Sequence, residues 1–176
     1  MLLIAFLAGC SSGTKHDDGA AVPPQPASHA APAVSPTSPT STSGAAATGS
    51  AMPKVYLSTP QGELAVEVEV VSSEAKIQRG LMFREHLPPD QGMLFLMRQE
   101  QVWPFWMHNT LIPLDLVFIA KDFTIAGIVE NAEPRTDTLR QVEQPSLYVL
   151  EVNGGYAAAH KLTRGAKVRF DGVPPR

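Results

Sequence analysis

Residues 11–53 constrain the fold most, because they consist almost entirely of alanine, proline, serine, threonine and glycine. Such a segment cannot bury enough apolar surface to offset the conformational entropy that folding removes. We therefore predict that residues 11–53 are a disordered linker. The remainder, residues 54–176, has the length of one domain and enough valine, leucine, isoleucine and phenylalanine for one core. We predict that it forms a single globular domain.

The first ten residues, MLLIAFLAGC, form a short apolar run that ends at Cys10, the only cysteine of the chain. Leu7-Ala8-Gly9-Cys10 resembles a bacterial lipobox, in which a signal peptidase cuts before a lipid-bearing cysteine. We expect residues 1–10 to be a lipoprotein signal and Cys10 to carry the lipid, although an ordinary apolar N-terminus with a buried cysteine is an alternative. Secretory signals usually have a basic start and about 15 to 30 residues, which points to a translation start upstream of Met1.

Lipidation of Cys10 implies a cell-envelope lipoprotein with its domain on the periplasmic or external side. Ser11 directly after this cysteine is compatible with sorting to the outer membrane, as in similar lipoproteins. The net charge is −3, and no block of lysine or arginine is present. The electrostatic field that attracts nucleic acid is therefore missing, and no second apolar run approaches the length of a membrane span. We expect the membrane, reached through the lipid, as a partner and no nucleic acid.

Alternating apolar and polar residues predict β-strands in much of residues 54–176. Two hairpins are expected, 54–58 with 63–71 and 114–120 with 124–131, and the other strands at 92–97, 146–152 and 166–170. Short helices are expected after Ser73 and after the double glycine at 154–155, and residues 132–145 read as a lid or rim loop. These elements predict an α+β fold: a small β-rich domain with two short helices, whose antiparallel sheet curls into a barrel or sandwich.

Residues 103–115, WPFWMHNTLIPLD, combine both tryptophans, a phenylalanine and a methionine with His-Asn-Thr and an aspartate. Proline biases the residue before it towards extended geometry, so Pro104 and Pro113 predict a strand segment between two kinks. Strand alternation would place Trp106, His108 and Thr110 on one face. The same alternation would place the side chains of Phe105, Met107 and Asn109 on the other face.

Two carboxylates, Asp115 and Glu151, stand inside otherwise apolar strands, where an unpaired charge costs several kcal/mol. One interpretation is structural: Arg79 or Arg84 would form an ion pair with one of them. The other is functional: Asp115 and Glu151 would form an acid/base pair over a pocket lined by Trp106. Both interpretations stay open from the sequence.

His108 could act as a general base oriented by Asp115. However, the domain has no cysteine, no G-x-S-x-G and no H-E-x-x-H motif that would supply a nucleophile or a zinc site. Copper deserves consideration because Met107 and His108 are suitable ligands, but neighbours on a strand point to opposite faces and do not chelate one ion. We therefore expect no metal and no cofactor.

Five motifs in order resemble the bacterial and archaeal family catalogued as domain of unknown function 192. The resemblance implies a compact β-rich single domain, often exported, with no established activity. It places Arg84, Trp106, Asn109, Thr110, Asp115 and Glu151 among the motif residues. Where this chain has His108, the family commonly carries lysine, so a histidine base would not be general to the family. The motifs are Gln78–Arg84, Gly92–Phe95, Phe105–Asp115 without Leu111, Glu130–Ala132 and Tyr148–Gly155.

The leading functional hypothesis is a lipid-anchored envelope domain that binds a small polar ligand or cell-wall glycan. A second hypothesis is a hydrolase or lyase that uses Asp115 with His108 or Glu151, and a third is a structural or protein-interaction module. The missing nucleophile motif favours binding over catalysis. The sequence does not specify an oligomeric state. The predicted ligand-binding residues are Arg84, Trp106, Asn109, Thr110 and Asp115.

Overall fold

A seven-stranded mixed sheet curled into a half-barrel, together with two short helices, makes up residues 52–175, which the computed structural model describes. The predicted class, a small β-rich α+β domain with two short helices, is confirmed. The predicted lipid site at Cys10 and nearly all of the predicted linker lie outside the described residues.

The strands and helices follow the predicted order along the chain. The sheet order is β5-β4-β6-β3-β2-β1-β7. At one end of the half-barrel, an isolated bridge between Thr124 and Lys167 joins the chain before β5 to the chain before β7. The elements are β1 (Lys54–Thr59), β2 (Gly62–Val71), α1 (Glu74–Arg79), β3 (Gln91–Gln101), β4 (Leu114–Ile119), β5 (Ile125–Ala132), β6 (Ser146–Asn153), α2 (Tyr156–His160) and β7 (Val168–Asp171).

One pair of strands departs from the predicted antiparallel sheet, because β2 and β3 run parallel. The other neighbouring pairs are antiparallel. Parallel neighbours cannot be joined by a tight hairpin and need a crossover connection. The segment between Val71 and Gln91 provides that crossover and contains α1. This connection carries α1 back along the sheet, where it can cover the sheet's central strands.

The central strands are buried on both faces, so each contributes to two apolar clusters. Along β3, Leu94 and Leu96 belong to the first cluster, while Phe95 lies in the second. The first cluster also receives β1, β7 and α2, and the second is covered by residues that follow α1 and by residues 103–112. Neighbouring residues of β4 and β6 therefore project into different clusters. This division determines which buried polar side chains can meet.

The prediction that residues 103–113 form a strand is wrong. Within this stretch only Phe105 forms a β-bridge, an isolated one to Arg140. A tight turn follows, in which the Thr110 N–H donates to the Met107 carbonyl over 3.1 Å. Asn109 has a φ of 53° there, and asparagine tolerates this left-handed geometry better than most residues. The turn cancels the predicted alternation, so both Met107 and Thr110 are buried.

Candidate functional site

A cavity of about 400 Å³ lies between α1, strand β3 and the segment 103–110. Its volume falls within the range of about 300–1,000 Å³ that is typical of small-molecule sites. Most of its walls are apolar or aromatic. The lining residues are Glu74, Ile77, Gln78, Arg79, Gly80, Leu81, Met82, Phe95, Met97, Arg98, Trp103, Pro104, Phe105, Trp106, Thr110 and Glu151.

Gly80 allows the end of α1 to approach the sheet closely. It has a φ of 47°, a left-handed value that side chains disfavour. A Cβ atom at this position would lie 3.3 Å from Cζ of Phe95 and 3.7 Å from Oε2 of Glu151. The helix therefore ends directly beside the Glu151 carboxyl, and the glycine both stops the helix and forms one wall of the cavity.

A row of edge-to-face phenylalanine rings anchors the opposite wall. Phe105 meets Phe95 of β3 at 5.4 Å between ring centroids, and it meets Phe118 of β4 at 5.8 Å. Such arrangements are favoured by the ring quadrupoles and stabilise beyond simple burial. Backbone hydrogen bonds between Phe105 and Arg140 in both directions hold the segment in place. The wall is thus packed against the core although it is not part of a strand.

Both tryptophans of the chain line this cavity. The indole N–H of Trp103 donates to the carbonyl of Gln99 over 3.1 Å, which fixes the orientation of that ring. Trp106 remains about half exposed and lies against the ring of His108 at a centroid distance of 5.2 Å. Trp103 is a fixed part of the wall, whereas Trp106 lies between the cavity and the solvent.

Glu151 is a buried carboxyl that lines this largely apolar cavity. Its Oε2 atom is enclosed and has no hydrogen-bond partner among the described residues. Burial raises the pKa of Glu151 from its usual 4.5 to about 8, because a carboxylate loses its hydration there. The side chain is therefore mostly a neutral carboxylic acid at pH 7. In this form it can donate one hydrogen bond or accept one.

Three charged side chains of the cavity lining, Glu74, Arg79 and Arg98, belong to α1 and β3. Arg98 and Glu74 lie 3.8 Å apart, with both side chains more than 70% exposed. Arg79 forms no ion pair with any residue in 52–175. These charges face solvent, so water and salt screen them far more than they screen the buried Glu151.

Asp115 occupies a different environment, in which backbone N–H groups donate all of its hydrogen bonds within residues 52–175. Its Oδ1 atom accepts hydrogen bonds from the N–H groups of Asn131 and Gly155, at 2.6 and 2.9 Å. Its Oδ2 atom accepts a third, from the N–H of Ala157 at 2.7 Å. The carboxylate thereby joins β4 to the end of β5 and to the first turn of α2. It satisfies N–H groups that a helix start otherwise leaves unpaired.

Asp115 and Glu151 lie on opposite faces of the sheet. In the β4–β6 ladder Asp115 pairs with Val152, while Glu151 pairs with Leu116. Val152 belongs to the first apolar cluster and Leu116 to the second. The two carboxyl groups therefore cannot converge on one substrate atom, as an acid/base pair would require.

The other predicted site residues divide between the cavity and the surface. Trp106 and Thr110 line the cavity, and Asp115 lies on the other face of the sheet. Arg84 makes a two-pronged ion pair with Glu69, with both N–O distances 2.6 Å, and thus pairs with neither buried carboxylate. These hydrogen bonds lower the pKa of Glu69.

His108 pairs with a carboxylate that the sequence reasoning did not consider. Its Nδ1 atom lies 2.6 Å from Oδ1 of Asp137, in the loop between β5 and β6. The His108 side chain is about half exposed and that of Asp137 is largely exposed. His108 is therefore not oriented by Asp115. Asn109 forms the exposed turn, and its carbonyl accepts a hydrogen bond from the N–H of Phe83. Neither His108 nor Asn109 lines the cavity.

Sequence reasoning missed the contribution of α1 to the site, including Ile77, Arg79 and the neighbouring rim residue Arg98. The available signal was weak. Ile77 is the one large apolar residue in the helix EAKIQR, and a six-residue helix is too short to show a periodic face. The parallel placement of β3 beside β2, which brings α1 over Glu151, was also not predicted.

No group of three or more histidine, cysteine, aspartate or glutamate side chains in residues 52–175 is arranged to hold a metal ion. In the same range no helix is both long and apolar enough to cross a membrane.

The fold and cavity define a small β-rich domain with a partly open, mainly apolar pocket. Residues 56–170 match the family described as Uncharacterized ACR, domain of unknown function 192. The chain belongs to this family. None of the curated proteins matches the chain.

The solved structures that are similar to the chain include the following two. A protein from Sinorhizobium meliloti 1021, described provisionally as a transcription regulator, has a TM-score of 0.65 and 35% identity, over 69% of this chain and 95% of that one. A protein of unknown function from Novosphingobium aromaticivorans DSM 12444 has a TM-score of 0.65 and 33% identity, over 72% of this chain and 99% of that one.

Proposed function

We propose that this protein is a small-ligand-binding lipoprotein of the cell envelope, and that its ligand occupies the cavity between α1 and residues 103–106. The observation that carries the proposal is the Glu151 carboxyl in an otherwise apolar cavity, with an enclosed oxygen that no described residue pairs. Buried polar groups in native proteins are nearly always paired, and exceptions mark functional positions. A ligand that satisfies Glu151 explains why the chain retains a costly side chain there.

The composition of the cavity narrows the kind of ligand. Its walls are mainly Leu81, Phe95, Trp103 and other apolar side chains, with Glu151 and Thr110 as the buried polar groups. A glycan exposes hydroxyl groups around its whole ring, and most of these would lose hydrogen bonds in such a site. The cavity therefore suits a ligand with an apolar body and one polar group better than the cell-wall glycan expected from the sequence.

Binding without chemistry fits the lining better than catalysis does. No serine, cysteine, histidine or lysine lines the cavity. Asp115, the main candidate acid/base residue, lies on the other face of the sheet and accepts three backbone hydrogen bonds. The cavity thus contains Glu151 as its only buried titratable group, which is sufficient to recognise a ligand but supplies no acid/base partner.

Intrinsic tryptophan fluorescence tests the proposal directly, because Trp103 and Trp106 are the only tryptophans and both line the cavity. The full-length chain is titrated with cationic, anionic and neutral amphipathic compounds and with peptidoglycan fragments. We expect at least one of the three classes of amphipathic compounds to change the tryptophan emission saturably. The peptidoglycan fragments should have no effect.

A matched pair of variants shows whether that signal comes from the cavity. Ile77→Phe adds volume at the cavity wall, and Leu139→Phe makes a similar change at an exposed position outside it. We expect Ile77→Phe to weaken binding at least tenfold and Leu139→Phe to leave it unchanged. The proposal fails if no compound changes the emission, or if Ile77→Phe binds as well as wild type.

The envelope part of the proposal depends on Cys10 and the lipobox-like residues before it. Lipid on this cysteine would hold the domain at the membrane, with the alanine- and proline-rich residues 11–53 as a spacer. We propose an outer-membrane location. Labelling cells with an alkyne-bearing fatty acid should mark the wild-type chain and leave Cys10→Ser unlabelled. Equal labelling of the two proteins would overturn lipid attachment at Cys10.

A further inference from the structure

We propose that the cavity selects an organic ammonium compound with an apolar body, whose cationic group pairs with the Glu151 carboxylate between the aromatic walls. This inference rests on the proposed function and specifies its ligand class. It depends on three observations: an unpaired buried carboxyl, aromatic rings in the walls of the same cavity, and the distribution of the remaining charges.

The carboxyl is the strongest of these observations. Glu151 is only 5% exposed, lines the cavity and has an enclosed oxygen without a partner among residues 52–175. A neutral ligand could satisfy it with one hydrogen bond. An ammonium group would add a charge–charge attraction, which is strong where water is largely excluded. The interaction of Glu151 with a ligand is therefore most favourable when the ligand is cationic.

The walls provide a second attraction for a cation. Phe95, Trp103, Phe105 and Trp106 all line the same cavity as Glu151. The faces of aromatic rings carry partial negative charge and attract ammonium groups, tryptophan most strongly, and the attraction grows when the cation is desolvated. An apolar ligand body also packs well against these rings. One alkyl or arylalkyl amine can use both features of the cavity.

The other charged groups that face the cavity are Glu74 and Arg79 of α1 and Arg98 of β3. The arginines oppose a cation, but Arg98 and Glu74 are 3.8 Å apart and both are more than 70% exposed. Exposed charges are screened by water and salt, so their influence inside the cavity is reduced. Thr110 is buried and uncharged. Glu151 therefore dominates the selection at the point where the ammonium group would lie.

Ligand binding should release a proton, because burial raises the pKa of Glu151 to about 8 and keeps it protonated at pH 7. When R–NH₃⁺ enters, the carboxyl loses its proton to the buffer and the ion pair forms between carboxylate and ammonium. The balance is COOH plus R–NH₃⁺ giving COO⁻ paired with R–NH₃⁺, plus H⁺. A neutral ligand that forms a hydrogen bond with the acid releases none.

Isothermal titration calorimetry of the full-length chain, in two buffers with different ionisation enthalpies, measures this proton. The probes are 2-phenylethylamine, its neutral counterpart 2-phenylethanol and the anion 3-phenylpropionate. For the amine we expect release of about one proton per ligand at pH 6 and much less at pH 9. Its affinity should rise close to tenfold per pH unit between pH 5 and 7. The alcohol and the carboxylate should bind at least tenfold more weakly at pH 8.

Two matched substitutions identify the group that loses the proton. Glu151→Gln keeps the shape but cannot ionise, and Glu133→Gln makes the same change at an exposed residue outside the lining. We expect Glu151→Gln to weaken amine binding at least tenfold and to abolish proton release. Glu133→Gln should retain both. If Glu151→Gln does not fold, the proton count of the wild-type chain still decides the question.

The outcomes distinguish this inference from the proposed function. Amine binding without proton release at pH 6, or amine binding that Glu151→Gln leaves unchanged, overturns the ammonium assignment. Binding of the alcohol or the carboxylate in preference to the amine overturns it as well, but supports a ligand site in the cavity. The absence of any saturable binding, here and in the fluorescence panel, removes the proposed function itself.

Discussion

Two carboxylates of the same small sheet are almost fully buried, yet their surroundings differ completely. Asp115 on β4 accepts three backbone hydrogen bonds, from Asn131, Gly155 and Ala157. Glu151 on the neighbouring β6 has an enclosed oxygen without a partner among residues 52–175, and it lines a cavity. Burial alone therefore does not define a role. The number of donors that the protein supplies to a carboxylate distinguishes a structural group from a candidate ligand group.

The backbone around each residue explains the contrast. Asp115 faces the start of α2 and the end of β5, where N–H groups lack partners of their own. Glu151 faces the end of α1 near Gly80 and the ring of Phe95, and neither offers a donor to it. Both oxygens of Asp115 thus have hydrogen-bond donors, whereas burial without a donor penalises charge on Glu151. Four expectations test this contrast, in order of decreasing effect.

Removing the Asp115 carboxylate should have the largest effect. Asp115→Ala leaves three N–H groups without their charged acceptor, and we expect a loss of unfolding free energy on the order of 4 kcal/mol. Urea or guanidinium unfolding, followed by circular dichroism, measures this loss. The control is Asp137→Ala, at a largely exposed aspartate, which should leave the midpoint nearly unchanged. A fully stable Asp115→Ala protein would contradict the structural role.

Replacing Glu151 should change how stability depends on pH. The folded-state pKa is about 8 against a usual 4.5, so the acid form favours folding. This contribution is complete below pH 4.5 and is lost as pH rises towards 8. Glu151→Gln removes it. The free energy of unfolding of Glu151→Gln, relative to that of wild type, should therefore rise by roughly 1.4 kcal/mol per pH unit between about pH 5 and 7.5. Above that range the difference should level off.

The comparison of wild type and Glu151→Gln cancels the titration of every other group that the substitution leaves unchanged. Denaturant midpoints are measured at intervals from pH 5 to pH 9, with Glu74→Gln as the exposed counterpart. If the denaturant midpoints of wild type and Glu151→Gln change with pH in parallel, the pKa of Glu151 is not raised by folding. The contrast between an unpaired Glu151 and a hydrogen-bonded Asp115 would then be lost.

Much of the fold could be predicted from the sequence. Alternation in KVYLS and ELAVEVEVV identified β1 and β2, and the apolar runs identified β3, β4 and β6. Both short helices were also expected. These elements depend on local side-chain pattern, which the sequence displays directly. The parallel pairing of β2 with β3 was not predicted, because a crossover of mostly irregular chain gives no periodic signal.

The site was harder to predict because it depends on tertiary geometry. Trp106, Thr110 and Glu151 were identified as candidates, and all three line the cavity. The predicted strand at 103–113 gave the wrong side-chain directions, since the turn at Asn109 interrupts alternation. Pairing of Asp115 with backbone N–H groups could not be anticipated, because those groups come from Asn131, Gly155 and Ala157, far along the chain.

A smaller effect is expected for Arg84, which the sequence had placed among the ligand-binding residues. Its ion pair with Glu69 is about one-third to one-half exposed, and such pairs contribute below about 1 kcal/mol. Arg84→Met should therefore cost less than about 1 kcal/mol of unfolding free energy and leave ligand affinity within about twofold, a change of about 0.4 kcal/mol. Denaturant unfolding and the fluorescence titration measure both quantities. A tenfold loss of affinity would place Arg84 in the site.

The smallest effect is expected for His108, whose pairing with Asp137 is solvent-exposed and separate from both buried carboxylates. Because water competes for this contact, His108→Gln should change stability by about 0.5 kcal/mol or less. Trp106 lies against the His108 ring at 5.2 Å, so Trp106→Ala is the informative comparison in the ligand titration. We expect Trp106→Ala to weaken binding because it removes a cavity wall, whereas His108→Gln keeps that wall. If His108→Gln weakens binding more than Trp106→Ala does, the histidine belongs to the functional site, and the alternative of a His108-dependent reaction regains support.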